Sequence, residues 1–130
     1  MTSLALLRIR ACKRIDAAAG AARVKYLTDL PLQSRVYERK LAQAVAYTAA
    51  HALDADATVP PYIAHEAAAR GMTALAAAAS IISAAAVFDD DKGPAIEGAR
   101  FAGKESVMAC TTEAEIEAAE ESAKSALAAL

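Results

Sequence analysis

Small and apolar residues recur along almost the whole chain at steps of three and four. Near the N-terminus Leu4, Leu7, Ala11, Ile15, Ala18, Ala22 and Tyr26 fall on one stripe of a helix. No segment alternates strictly between apolar and polar residues, the pattern a half-buried strand would need, so the periodicity confines the chain to an all-α fold. Alanine supplies much of the pattern, at more than a quarter of the 130 residues, beside two Phe, four Tyr and no Trp. Helix is therefore favoured, yet each helix buries little area per turn, because one methyl contributes far less than a leucine side chain. Such helices gain most from close backbone approach or from partners.

The breaks in the pattern define the expected elements. A first helix runs from about Ser3 to Asp29 and is closed by Pro31, since the residue before a proline is pushed out of the helical region. A second, about Gln33 to Leu53, turns Tyr37, Leu41, Ala44, Thr48 and Ala52 inward, and a short connection makes the two an antiparallel helical hairpin. "DADATVPP", residues 54–61, is a loop. A short helix from Pro61 or Tyr62 to Arg70 stops at Gly71, and Thr73 caps the next one, which reaches Phe88. Gly93 and Pro94 interrupt the helix near residues 89–94, with Pro94 opening a new one whose stripe is Ile96, Arg100, Gly103 and Val107. Breaks near 110–112 follow, with Thr112 and Glu115 spaced as a capping box before a last helix carrying Ile116, Ala119, Ala123, Leu127 and Leu130 inward. The expectation is one helical domain, an irregular Ala-rich bundle, with a basic part at 1–53 and an acidic part at 62–130.

Charge is segregated. Residues 1–40 hold nine Lys/Arg against three Asp/Glu, and residues 41–130 hold five against thirteen, although the net charge is only −2. Asymmetry of this kind suits an internal match between basic and acidic surfaces or a contact between copies. The densest basic cluster, Arg8, Arg10, Lys13 and Arg14, lies beside Leu4 and Leu7, and these six form the candidate partner-docking set. Nucleic-acid binding through the same cluster is disfavoured, because no recognised reading motif accompanies the charge.

"GARFAGKES", residues 98–106, places Gly98, Gly103 and Lys104 one residue short of the phosphate-loop pattern. Glu105 stands where that loop needs a hydroxyl, and the stretch sits on a helical stripe rather than after a strand. Its glycines read instead as points of close helix approach. Asp89, Asp90 and Asp91 lack the spacing of a calcium loop, and neither His51 nor His65 has a nucleophile or ligand partner at readable spacing. Cys12 and Cys110 form no paired motif and read as reduced thiols. No catalytic residue, metal site or cofactor is expected. Gly71 to Phe88 is 18 residues without a charge, but its Ala and Ser content makes it a buried helix rather than a membrane span.

"RIDAAAGAARVKYLTDLP" (14–31), "VYERKLAQAVAY" (36–47), "PYIAHEAAARGMT" (61–73), "IISAAAVF" (81–88), "AIEGARFAGK" (95–104) and "ACTTEAEIEAA" (109–119) together resemble a group of small Ala-rich helical proteins encoded in the tail and tail-fibre regions of tailed bacteriophages. The resemblance covers nearly the whole chain from Arg14. Pro94 departs from it, at a point where the family's helix continues. It implies a non-catalytic structural protein of the virion, at the tail, baseplate or fibre, assembled in the host cytoplasm. Its partners would be other phage structural proteins and further copies of itself, with no membrane. A fibre-assembly chaperone that leaves the particle, or a small nucleic-acid binder using the basic first helix, are the alternatives.

Overall fold

The computed structural model describes residues 2–27 and 33–130, and among them every regular element is helical. The elements are α1 (Leu4–Arg23), α2 (Gln33–Leu53), α3 (Pro61–Arg70), α4 (Ala74–Val87), a π-helical segment (Phe88–Lys92), α5 (Gly93–Ala109) and α6 (Glu113–Ala128). The all-α fold expected from the periodicity is present.

Side chains that accept backbone N–H groups set the starts of α1, α4 and α6. Ser3 caps α1 by accepting from Leu6, Thr73 caps α4 by accepting from Ala76, and Thr112 caps α6 by accepting from Glu115. Glu115 reaches back to the N–H of Thr111, one residue before the cap, in a close variant of the capping box. Gly71 ends α3 in the left-handed conformation, φ 65°, which a side chain would strain. Beyond Arg23 the first helix tightens into a turn, with Tyr26 N–H bonded to the Arg23 carbonyl. Its expected continuation to Asp29 and the stop at Pro31 lie outside the described residues.

The expected interruption at residues 89–94 is corrected: the backbone stays helical from Ala74 to Ala109. A proline inside an α-helix lacks an N–H and drives its ring into the carbonyl four residues earlier. Five residues of wider π-helix immediately before Gly93 change that register, and Pro94 then falls in the first turn of α5, where its missing N–H costs little.

Two compact units form. The first comprises Met1–Thr28 and Asp89–Leu130, and the second Asp29–Phe88. In the first, α1, α5 and α6 each pack on the other two, around Ala11, Ile15, Ala19, Ala22, Ile96, Val107, Cys110, Ile116, Ala123 and Leu127. The inward stripes expected for α1 and α6 are those observed, with Leu4, Leu7, Ala18, Tyr26, Ala119 and Leu130 partly buried around this core. In the second, α2, α3 and α4 pack pairwise around Ala44, Tyr47, Ile63, Ala67, Ala77, Ala78 and Ile81.

Among the described residues α1 contacts α5 and α6, whereas α2 contacts α3 and α4. Charge explains part of the choice. The basic residues of α1 find acidic partners on α5 and α6, which the basic N-terminal half of α2 cannot supply. The inner face of α2 is also rotated from the expected one: Ala44 and Tyr47 are buried, while Thr48 and Ala52 are exposed. Thr48 satisfies its hydroxyl by donating back to the Ala44 carbonyl at 2.8 Å.

Candidate interaction surface

The six residues expected to form a docking element divide between an internal and an external role. Leu4 and Leu7 pack against the first unit's core. Arg8 donates to the Cys110 carbonyl at 2.5 and 3.2 Å, tying the start of α1 to the end of α5, where a helix C-terminus leaves carbonyls unpaired. Arg14 donates to Glu120 on α6 at 2.6 and 2.9 Å. Arg10 and Lys13 are exposed and form no ion pair among the described residues. With exposed Leu6 and the 52% exposed Ile9 they occupy the outward side of α1, so the external surface of this helix mixes two cations with two large apolar side chains.

The rest of the basic segment is also committed internally. Arg23 pairs with Glu97 at 2.8 Å, and Lys25 donates to the Ala128 carbonyl at 2.9 Å. Asp16, the one acid within α1, receives Arg100 at 2.9 Å and Lys104 at 3.0 Å. Part of the segregated charge therefore closes within one unit, Arg14 and Arg23 of the basic segment against Glu120 of α6 and Glu97 of α5.

That lattice holds three carboxylates below their usual range. Hydrogen bonds from Arg100, then Lys104, lower Asp16. Arg100 also lowers Glu97, and Arg14 lowers Glu120. A depressed carboxylate contributes stability that is present above its unfolded value, about 4, and is lost as pH falls through the folded value. Thermal unfolding followed by helical circular dichroism is accordingly expected to be flat near neutral pH and to weaken progressively below about pH 4. Asp16→Asn should lower the midpoint at pH 7, with the gap to the parent closing as the pH is lowered through that range. A gap independent of pH would remove Asp16 from the explanation.

The phosphate-loop lookalike has a structural use. Lys104 is bound to Asp16, Gly103 is buried in the helix contact, and Glu105 points to solvent. His51 lies against the Tyr47 ring with centroids 5.7 Å apart, while His65 is exposed. Asp89, Asp90 and Asp91 are exposed on the π-helical segment, and no group of three or more potential metal ligands occurs among the described residues. Both cysteines are free: burial pushes the Cys12 thiol up, and buried Cys110 donates its S–H to the Ser106 carbonyl at 3.1 Å. A shallow groove of about 400 Å³ between α1 and α6 is floored by Ala18, Ala21, Ala22 and Ala128 and rimmed by Lys25 and Lys124.

The surface features that sequence reasoning missed are apolar. Phe101 and Met108 are 62% and 58% exposed on α5, and Val45, Leu53, Leu75 and Val87 are exposed in the second unit. The signal was present, since each lies off its helix's buried stripe, but periodicity alone does not tell a covered face from an open one. Among the described residues no single helix is long and apolar enough to cross a membrane, and Pro61–Arg70 with Ala74–Ala109 reaches that composition only across a 100° bend. No family model, curated protein or solved structure matches the chain.

Proposed function

We propose that this protein is a structural component of a tailed-phage particle, seated at the tail, baseplate or fibre attachment and acting by helix packing against partner proteins. The observation that carries the reading is the resemblance that runs from Arg14 through both helical units to the last helix. Large apolar side chains left open on α1, α2, α4 and α5 give a partner protein apolar surface to pack against, which fits this reading. The docking set contracts in this reading. Arg10 and Lys13, with Leu6 and Ile9, remain for a partner, while Leu4, Leu7, Arg8 and Arg14 hold α1 in place.

Nucleic acid is the weaker alternative. Five of the cations that a duplex would need, Arg8, Arg14, Arg23, Lys25 and Lys104, already have acceptors within the first unit. Mass spectrometry of purified particles from the encoding phage tests the proposal. The protein should be found in mature virions at a reproducible copy number. Its presence in infected cells together with absence from particles would overturn the structural reading and favour the assembly-chaperone one.

A further inference from the structure

Along the helical stretch from Ala74 to Ala109 the two cores stop well short of one another. α4 gives the second unit's core Ala77, Ala78 and Ile81, and α5 gives the first unit's core nothing before Ile96. Between Ala85 and Ile96 no residue is buried, although the backbone is helical throughout. Such a stretch is held by its own backbone hydrogen bonds, and those are open to water, which places it among the least stable parts of a fold. The side chains of Asp89, Asp90, Asp91 and Lys92 add nothing, since they form no hydrogen bond or ion pair among the described residues.

The residue types pull the same way. Three adjacent aspartates and a glycine are poor helix formers, and Pro94 offers no N–H to the carbonyls of the turn before it. The last turn of α4 has no basic residue, so Asp89, Asp90 and Asp91 bring like charges to the negative end of that helix. Were the helix to part within Phe88–Lys92, the same carboxylates would stand at the positive end of α5. Asp91 would then be free to cap the Gly93 N–H, and Pro94 already lies in the first turn of α5. No residue of either core lies within the segment, so neither core would be taken apart.

We propose that Phe88–Lys92 is a built-in break point: the continuous helix is the resting form, and the chain opens there locally and reversibly while both units stay folded. The five residues of π-helix mark the place, because the wider turn meets Pro94 in register only by giving up regular α-helical bonds. The segment is also where the chain passes from the second unit to the first. Opening frees that covalent link to change direction when a partner takes hold of one unit.

The proposal does not rest on the virion reading, since it concerns the isolated chain. Amide hydrogen exchange of the full-length protein, resolved by residue in nuclear magnetic resonance, tests it under native conditions. The amides of Asp90, Asp91 and Lys92, each corrected for its intrinsic rate, should be protected at least about a hundredfold less than those of Ile81 and Gly103. Asp91→Ala removes the cap of the open form, and Pro94→Ala returns an N–H to the closed one. Both positions are exposed, so each variant should keep the parent's fold. Each should raise protection at Asp90 and Lys92 about tenfold. Equal protection from Ile81 through Gly103 would overturn the proposal. So would low protection at the joint that neither substitution raises, which would mark plain exposure rather than a breakable helix.

Discussion

Ile15→Ala is expected to destabilise the first helical unit by about 2–5 kcal/mol, the range for removing a fully buried branched side chain. Ile15 has no exposed surface and stands on the α1 stripe between Ala11, Ala19 and Ala22, themselves buried. Those neighbours are already at minimum size, so the site has little means of closing around the lost atoms. The cost should fall in the upper part of the range. Ile15→Val, which removes one methylene, should cost about 0.5–1.5 kcal/mol. Ile9→Ala on the outward side of the same helix should lie within about 0.5 kcal/mol of the parent. Urea unfolding followed by circular dichroism, with amide exchange of α1 to assign the loss to this unit, measures all three. Equal effects at positions 9 and 15 would show that the stripe is not the packing face.

Such dependence on one isoleucine explains what the sequence made legible. The inward stripes of α1 and α6 could be read because each contains at least one large residue in phase with its alanines, Ile15 in one and Ile116 and Leu127 in the other. In α2 the alanines at 42, 44, 46, 49, 50 and 52 surround the helix, so periodicity lost its phase there. The face was fixed instead by Tyr47, which inserts beside Ala44. Pairing was less legible still. A short connection favours sequential neighbours, yet α1 has its counter-charges on Glu97, Arg100 with Asp16, and Glu120, some 74 to 106 residues away. Local pattern does not encode which distant helix completes a salt-bridge set.

The candidate site was legible in composition but not in role. A dense basic cluster signals an electrostatic partner, and for Arg8 and Arg14 that partner proved to be the chain's own Cys110 carbonyl at the end of α5 and Glu120 of α6. What distinguishes Arg10 and Lys13 from Arg8 and Arg14 is angle around the helix, fixed only once the inward stripe is known.

Gly103→Ala should destabilise the protein even though alanine is the better helix former. The propensity gain is about 1 kcal/mol. Against it, a Cβ built on Gly103 stands 2.6 Å from the Ala123 Cβ, a separation at which something must move. Ala123 Cβ is fixed directly to the α6 backbone and has no rotamer through which to escape, so relief requires α5 and α6 to separate. Overpacking of this kind costs about 1–3 kcal/mol, and separating two helices that share Ile96, Val107 and Ile116 belongs toward the high side. The net loss should be about 1–2 kcal/mol for Ala, from those two opposing terms, and larger for Val. Removing the opposing methyl supplies the decisive comparison. Ala123→Gly alone should cost about 1 kcal/mol through helix propensity, but in the Gly103→Ala background it should restore stability, because the small position has merely crossed the interface. A coupling of opposite sign to the two single losses, measured by a double-mutant cycle in urea, is therefore expected. Simple additivity would mean that the α5–α6 contact is not set by this pair.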